Sequence, residues 1–260
     1  TPIAGLKSLE TLYLGGNHIS NIKPLAGLSK LNKLGLGGNN IKDITPIAGL
    51  KSLEGLSLGV NHISNIKPLT ALVNLKQLAL RDNPIQKGQI KHLETLSKLV
   101  YLDLSACQMR DLGPLSELKN LRTLALGSNQ IKDLRSLENL SNLEGLSLQK
   151  NQITSIAPLA NLKKLVGLSL ASNQVTDLTP LAGLMGVWEV DLSGNRITDL
   201  SPLYAWKGYV QLDDSPDSMK GVELFLEDNP NLTKDEIRRL EEKLPRLMVM
   251  EKWKPDKDKK

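Results

Sequence analysis

Leucines recur in a fixed pattern along the chain and predict a series of short strands. In the segment Leu9-Glu-Thr-Leu12-Tyr-Leu14-Gly-Gly-Asn17, the last two leucines alternate with other residues. Alternation with a period of two places such leucines on one face of a strand. The same phrase returns after 22 residues, as from Asn17 to Asn39. We therefore expect about ten equivalent strands joined by connections of nearly equal length.

An asparagine closes almost every one of these phrases. The series is Asn17, Asn39, Asn61, Asn83, Asn129, Asn151, Asn173, Asn195 and Asn229, with Cys107 taking the place once. A side-chain amide both donates and accepts, so a stacked column of them can satisfy buried backbone groups of neighbouring coils. We interpret Cys107 as a buried member of this ladder and not as a reactive thiol. This period and spelling are typical of leucine-rich repeats, which stack into a solenoid.

The connections between strands share the phrase Ile-x-x-Ile-x-Pro-Leu, as in residues 19–25. A repeat of 22 residues leaves room only for a tight 3₁₀-like turn on the convex side, and proline suits its start. Two intervals between ladder residues are longer than 22 residues. Between Asn83 and Cys107, residues 90–96 have helical spacing and predict a longer helix. Between Asn195 and Asn229, twelve additional residues form an insertion.

These patterns predict an α/β solenoid. It is a right-handed superhelix with a concave parallel β-sheet, short convex turns and a C-terminal capping helix. We assign residues 1–232 to a leucine-rich repeat domain and residues 233–260 to a helical cap with a charged tail. The segment Thr233-Lys-Asp-Glu236 is a capping box that starts the helix, and Pro245 marks its end. The chain begins within a repeat, so we expect an N-terminal capping element upstream.

Charge and composition exclude several classes of function. Of 33 basic and 28 acidic residues, ten and seven lie in residues 233–260, which leaves the repeats almost neutral. We therefore expect no basic stripe along the repeats and no nucleic-acid partner. No apolar stretch is long enough to cross a membrane, so no membrane insertion is expected. We expect a monomer without a cofactor. No metal site is expected either, because His18 and His62 lie two coils apart, too far to share a zinc ion. The cellular location stays open, with a secreted or surface position weakly favoured.

The outward strand positions, which lie six, four and two residues before each ladder residue, are mostly Gly, Ala or Ser. Protein interfaces favour Trp, Tyr and Arg as anchors. The few outward positions with larger side chains therefore indicate where a partner could bind. One cluster lies on the fourth and fifth coils and comprises Gln77, Arg81, Tyr101 and Asp103. We predict that it contacts a partner. The alternative is an intramolecular Arg81–Asp103 pair on a solvated sheet.

A second cluster lies at the C-terminal end and predicts an acidic, aromatic lip for a basic partner. Its members are Trp188, Glu189, Asp191, Glu223, Phe225 and Glu227. Asp213, Asp214 and Asp217 of the insertion extend the same acidic character, and a solvated loop explains them equally well. Four further aromatic residues, Tyr204, Trp206, Tyr209 and Trp253, are interpreted chiefly as a plug for the end of the core, with a place in the lip as the alternative.

An internal duplication points to the same face. Residues 1–25 and 45–69 match at 22 of 25 positions and differ at Thr11/Gly55, Tyr13/Ser57 and Gly16/Val60. Two of the three differences lie at outward strand positions, which suits a binding surface, although drift explains so few changes as well. The segment Gly55-Leu-Ser57-Leu-Gly59 matches a nucleophile elbow. We reject that reading because the pattern places Ser57 inside a strand.

The strand phrase and the Ile-x-x-Ile-x-Pro-Leu connection together resemble bacterial leucine-rich repeats of the internalin type over residues 1–232. The resemblance implies a curved solenoid whose concave sheet grips another protein, often a host surface receptor. Eukaryotic phosphatase regulatory subunits share this repeat class, so fold alone does not decide function. We expect a non-enzymatic protein-binding module of unknown partner. The alternatives are an intracellular regulatory scaffold or enzyme-regulating subunit, and a carbohydrate or cell-wall binder.

Overall fold

The leucine pattern produces one open parallel sheet. The computed structural model describes residues 2–208 and 222–250. Eleven three-residue strands pair there in sequence order, with β1 and β11 at the two edges. They are β1 (Thr11–Tyr13), β2 (Lys33–Gly35), β3 (Gly55–Ser57), β4 (Gln77–Ala79), β5 (Tyr101–Asp103), β6 (Thr123–Ala125), β7 (Gly145–Ser147), β8 (Gly167–Ser169), β9 (Glu189–Asp191), β10 (Glu223–Phe225) and β11 (Met248–Met250). The register aligns their central residues, as in Leu12, Leu34 and Leu56.

Short 3₁₀ segments return the chain to the next strand on the opposite side of the core. They cover Pro2–Gly5, Lys23–Leu25, Thr45–Ile47, Lys67–Ala71, Gln89–Leu93, Gly113–Glu117, Arg135–Leu137, Ala157–Leu159, Thr179–Leu181 and Ser201–Gly208. Proline stands in the first turn of eight of them, where its fixed φ and missing N–H cost nothing. A side-chain oxygen often fixes the start, as where Asp43 accepts the backbone N–H of Thr45 at 2.8 Å. The predicted tight convex turns are therefore confirmed.

The prediction of a longer helix between Asn83 and Cys107 is wrong. The segment Gln89–Leu93 has five residues, as have the 3₁₀ segments of the coils on either side. Gly88 precedes it with a φ of 80°, a left-handed turn that takes up part of the additional chain. The helical spacing of this stretch has another origin, because Ile90, Leu93 and Leu96 all face the common core.

The core is one continuous column, because every coil contributes leucine or isoleucine at equivalent positions. In the third coil, Leu53, Leu56, Leu58 and Ile63 have at most 3% of their surface exposed. At the first coil the equivalent Leu9, Leu12 and Leu14 are only partly buried. Each coil is thus buried by its two neighbours, as expected of a solenoid.

The asparagine ladder connects neighbouring coils as predicted. The Asn61 amide donates to the carbonyl oxygens of Leu36 and Leu58 at 3.0 and 2.9 Å. Its Oδ1 accepts the backbone N–H of Ile41 at 2.9 Å. Because Leu36 and Ile41 belong to the preceding coil, one side chain satisfies buried backbone groups on two coils. The same pattern recurs from Asn39 to Asn229.

Cys107 lies in the ladder, fully buried, as predicted. Its thiol donates to the carbonyl oxygen of Leu80 at 3.2 Å. In the other coils after the first, the Oδ1 atom of the ladder asparagine accepts a backbone N–H of the preceding coil, and a thiol has no such oxygen. The equivalent N–H, that of Ile85, therefore bonds to the carbonyl oxygen of Asn83 at 2.8 Å. Burial raises the pKa of the Cys107 thiol to about 11. The nucleophilic thiolate is therefore scarce at neutral pH.

Helix α1 (Lys234–Lys243) follows the last ladder asparagine, as the capping box predicts. Thr233 Oγ1 accepts the backbone N–H of Glu236 at 3.2 Å. In a complete capping box, the Glu236 carboxylate would accept the backbone N–H of Thr233. Here it accepts the backbone N–H of Leu200, which connects the helix to the preceding coil. After the helix the chain adds β11, parallel to β10. The pattern analysis missed this strand because Met248-Val249-Met250 belongs to no repeat phrase.

The end of the core is filled by an aromatic residue. Trp206 is 1% exposed, and its Nε1–H donates to the carbonyl oxygen of Leu181 at 3.0 Å. Tyr204 is partly buried against the same core. These two residues act as the predicted plug. Tyr209, Trp253 and the acidic residues Asp213, Asp214 and Asp217 lie outside the described residues.

Replacing Val60 with glycine is expected to stabilise the protein. The residue before each ladder position is left-handed, and Val60 holds a φ of 56° while Gly16 holds 69°. A left-handed backbone costs an L-residue about 1–2 kcal/mol. Val60 is 45% exposed, so burial of its side chain offsets little of this cost. After the entropic cost of glycine, a gain of about 1 kcal/mol in unfolding free energy remains. Urea unfolding measures it. Gly16→Val should lose about as much, and a destabilised Val60→Gly variant would contradict this account.

Candidate functional site

The outward side chains of the sheet form three rows, because the strands are parallel and in register. One row runs through Tyr13, Gly35, Ser57, Ala79 and Asp103. A second runs from Thr11 through Lys33, Gly55 and Gln77 to Tyr101 across the same strands. Adjacent strands lie ~4.8 Å apart, so neighbours within a row are in contact range.

A groove opens on this face between Tyr13 and Tyr101. It has a volume of about 410 Å³, and its outward lining residues are Tyr13, Lys33, Gly55, Ser57, Gln77, Ala79 and Tyr101. We call this set the concave groove. Its floor is formed by glycine, serine and alanine, and its ends by two aromatic side chains about four strand spacings, or ~19 Å, apart. Tyr13 is 69% exposed.

The small residues of this face make room for large neighbours. A Cβ atom at Gly35 would lie 2.6 Å from Cδ1 of Tyr13, so the Tyr13 ring rests directly on that glycine. A Cβ atom at Gly59 would likewise lie 2.7 Å from Cγ of Arg81. Larger residues at either position would force the neighbouring side chain to move. These glycines therefore set the orientation of Tyr13 and Arg81.

The first predicted cluster is assembled on adjacent strands. Gln77 is the register partner of Tyr101, and Asp103 follows Tyr101 by two residues on β5. Burial, followed by the Asp103 charge, raises the pKa of Tyr101, so its hydroxyl remains a hydrogen-bond donor. Arg81 is exposed and lies over Gly59. The cluster and the concave groove share Gln77 and Tyr101.

The alternative of an Arg81–Asp103 ion pair is not what the described residues show. Asp103 is 8% exposed, and its Oδ1 accepts the backbone N–H of Ser105 at 2.9 Å. The five ion pairs within residues 2–208 and 222–250 lie elsewhere. Asp103 thus serves a local turn, and Arg81 keeps its guanidinium on the surface.

Five of the seven residues of the concave groove were not among the predicted site residues, and two of these five have large side chains. Tyr13 and Lys33 lie on the first two strands and line the groove beside Ser57. The duplication contained a signal for the first of them, since Tyr13 and Ser57 are one of its three differing pairs. No comparable signal distinguishes Lys33 from other surface lysines.

The second predicted cluster is brought together at the C-terminal end of the sheet. Glu189 pairs in register with Glu223, and Asp191 with Phe225. Trp188 precedes β9 and is 37% exposed. Asp191 Oδ1 accepts both the backbone N–H and the hydroxyl of Ser193, at 3.0 and 2.6 Å. Glu227 is the outward residue nearest the last ladder asparagine, two residues beyond Phe225.

Strand β11 adds apolar surface to this acidic lip. Met248 pairs with Glu223 and Met250 with Phe225, and the two methionines are 39% and 37% exposed. Methionine side chains adapt to irregular partners. The lip is therefore mixed acidic and apolar, whereas the sequence pattern predicted acidic and aromatic character.

The three coils between the two clusters carry no charge on this face. Their nine outward positions, on β6 to β8 and two residues beyond, are Thr, Ala, Gly, Gly, Ser, Gln, Gly, Ser and Ala. The concave groove and the acidic lip are therefore separate surfaces, divided by a neutral stretch of about 15 Å.

Neither an elbow at Ser57 nor a cluster of metal ligands is present among the described residues. Ser57 lies inside β3, as predicted, and not on a strand-to-helix turn. Residues 2–208 and 222–250 contain no group of three or more His, Cys, Asp or Glu side chains placed to hold a metal ion. Over the same residues, no helix combines the length and apolarity that a bilayer crossing requires.

Comparison with known proteins agrees with this architecture. The sequence model described as Leucine Rich repeats (2 copies) matches residues 7–49, 97–139 and 141–183. No curated protein matches the chain in sequence. Among solved structures, an internalin (InlF) from Listeria monocytogenes is 28% identical with a TM-score of 0.73, over 94% of this chain and 80% of that one. A leucine-rich repeat protein of Leptospira interrogans shares the fold at 23% identity and a TM-score of 0.64, over 96% of this chain and 80% of that one.

Internalin C2 (InlC2) of Listeria monocytogenes shows the relationship at higher identity. It is 34% identical with a TM-score of 0.70, and the match covers 75% of this chain and 84% of that one. Together with the ladder, the convex prolines and the parallel sheet, this similarity decides the family. The chain belongs to the internalin-like leucine-rich repeat proteins of bacteria.

Proposed function

We propose that this chain binds a partner protein on its concave face, chiefly at the concave groove, without catalysing a reaction. The leucine-rich repeat fold supports a protein–protein interaction module. The more specific assignment to the groove rests on one observation. Two tyrosines stand at the ends of a recess whose floor is almost bare of side chains.

The groove suits a protein surface because its anchors are aromatic and its frame is rigid. Tyrosine is among the residues that dominate interface energies, and it loses little side-chain entropy on binding. Every strand beneath the groove is hydrogen-bonded to a neighbour on each side, except the edge strand β1. A surface fixed in this way needs little ordering when the partner docks.

Filling the floor of the groove is expected to abolish partner binding without unfolding the protein. A Cβ atom at Gly55 meets only ordinary contacts, 3.5 Å from Lys33 Cγ and 3.9 Å from Gln77 Oε1. Gly55→Arg therefore places a long side chain in the recess at little cost in stability. The immobilised parent chain would capture its partner from host-cell or bacterial extract, and mass spectrometry would identify it. We expect the purified partner to bind Gly55→Arg at least ~100-fold more weakly, a loss typical of a blocked hot-spot region.

Gly167→Arg is the matched control. Gly167 is the first residue of β8 as Gly55 is of β3, and a Cβ atom there meets nothing within 4 Å. It lies outside the groove, so binding should be retained. Circular dichroism and thermal unfolding would confirm that both variants fold. Equal binding by the parent and Gly55→Arg would reject the groove, and loss only in Gly167→Arg would move the site toward the middle of the sheet.

A further inference from the structure

Basic residues are concentrated on one edge of the solenoid, where the chain approaches each strand. We call this the strand-start edge and define it by the positions seven, nine and ten residues before each ladder residue. Across the nine described coils that have these positions, the last two columns contain seven lysines and no Asp or Glu. All seven are exposed: Lys7, Lys30, Lys51, Lys98, Lys119, Lys163 and Lys164.

The charges in the remaining column, seven residues before each ladder residue, are nearly balanced. Lys76 pairs with Glu54 at 2.9 Å, and Arg122 donates from Nε to Glu144 at 2.8 Å. With Glu10, the column holds two cations and three glutamates, so the edge as a whole keeps a surplus of six positive charges. The expectation that the repeats lack a basic stripe is therefore wrong. Their total charge is near neutral, but the winding of the solenoid places cations from successive coils side by side.

The edge has a fixed groove at its centre. A recess of about 550 Å³ is lined by four cations, one carboxylate, two amides and one apolar residue: Lys76, Lys98, Arg122, Lys164, Glu144, Asn120, Asn142 and Val100. The carboxylate, Glu144, is the one already paired with Arg122. The amide groups of these asparagines donate to backbone oxygens of the preceding coil, Ser97 at 2.8 Å and Lys119 at 3.0 Å. The polar frame of the recess is thus anchored to the backbone.

Two lysines of this recess are oriented without being neutralised. Lys98 Nζ donates to Asn74 Oδ1 and Lys164 Nζ to Asn142 Oδ1, each at 2.7 Å. Both acceptors are uncharged amides, and neither lysine takes part in an ion pair among the described residues. A neutral acceptor fixes the position of an ammonium group and leaves its full charge for an external anion.

We propose that the strand-start edge binds a linear polyanionic glycan, one that carries sulfate, phosphate or carboxylate groups along its length. The first six coils and the eighth each contribute at least one cation to the edge. Adjacent coils lie ~4.8 Å apart, so an extended chain of anions can meet several of these cations. Charge supplies the attraction, so the exposed aromatic residues that a neutral saccharide requires are not needed. The site is independent of the concave groove, since it lies on another side of the coils.

A glycan fits this recess better than a nucleic acid. Single-stranded nucleic acids are held by cations interleaved with aromatic side chains on which bases stack. The lining of the recess contains no aromatic residue, and its apolar member is Val100. Trp188 occupies the seven-before position only in the ninth coil, three coils beyond Arg122.

Heparin serves as the probe, immobilised for biosensor binding at several salt concentrations. The test variant is Lys98→Gln/Lys164→Gln. Its control, Lys42→Gln/Lys132→Gln, removes the same charge from exposed lysines three residues after a ladder asparagine, on the opposite edge. We expect the parent to bind with an affinity that falls as salt rises, and the test variant to bind ~10-fold more weakly with a smaller salt dependence. The control should stay within about twofold of the parent.

Three results would overturn the proposal. The first is no binding of heparin by the parent at physiological salt. The second is equal loss in both variants, which would make net charge alone responsible. The third is tighter binding of a 20-nucleotide oligothymidylate or a 20-base-pair duplex, which would replace the glycan with a nucleic acid. Because all four substituted lysines are exposed, circular dichroism should show parent-like folding in both variants.

Discussion

Asn61→Ala is expected to lower the free energy of unfolding by about 4 kcal/mol, more than most single substitutions. The change removes hydrogen bonds to Leu36, Leu58 and Gly59 and leaves the buried N–H of Ile41 without its acceptor. Each lost bond contributes about 1 kcal/mol, and an orphaned buried donor adds about 1–3 kcal/mol. The carbonyls of Leu36 and Leu58 keep a second donor, from Asn39 and Asn83, so the total stays below that of four orphaned groups.

Thermal and urea unfolding measure this effect. For a chain of this size, the loss corresponds to a midpoint lowered by roughly 10 °C. Asn17→Ala is the control, because Asn17 is exposed and its amide bonds only to oxygens of its own coil, Leu14 and Gly15. It should cost less than about 1 kcal/mol. Equal losses in the two variants would show that the ladder contributes nothing beyond any surface asparagine.

Trp206→Ala is expected to cost about 3–5 kcal/mol, the range for a large aromatic residue removed from a core. Trp206 is 1% exposed and closes the core where the last repeats meet α1. Because each coil contacts only its neighbours, the damage should remain local. Hydrogen exchange should therefore accelerate in β9, β10 and α1, with little change in the strands of the first five coils.

Two further variants separate the causes of this loss. Trp206→Phe keeps most of the buried area and loses the hydrogen bond from Nε1. Leu181 retains a bond from the N–H of Leu184, so this variant should cost only about 1–2 kcal/mol. Trp188→Ala removes a tryptophan that is 37% exposed and should cost less than Trp206→Ala. Uniform acceleration of exchange along the whole chain after Trp206→Ala would contradict local capping.

The accuracy of the sequence-based interpretation follows from how solenoids are built. Each coil repeats the same contacts, so a pattern along 22 residues describes the tertiary neighbours as well. That is why the ladder, the place of Cys107 and the start of α1 at Thr233 could be predicted. The plug residue Trp206 was also recognised, since an open solenoid end needs an apolar cover.

The errors arose where the repeat pattern stops or where coils are compared across the sheet. Strand β11 has no ladder residue, and its pairing with β10 depends on how α1 returns the chain to the sheet. The concave groove depends on how Tyr13 on β1 and Tyr101 on β5 are placed across three intervening strands.

The sequence by itself determined the repeat, the parallel sheet, the buried ladder and the family. The leucine packing and the asparagine hydrogen bonds are made within a coil or between adjacent coils. Both can therefore be inferred from the spacing of these residues in the sequence. Only the tertiary structure decided which surfaces exist. It placed the Tyr13 ring over Gly35 and the Arg81 side chain over Gly59, and it brought lysines from separate coils together on one edge. These features depend on side-chain direction and on the register of stacked coils. Residue counts along the sequence contain neither of these.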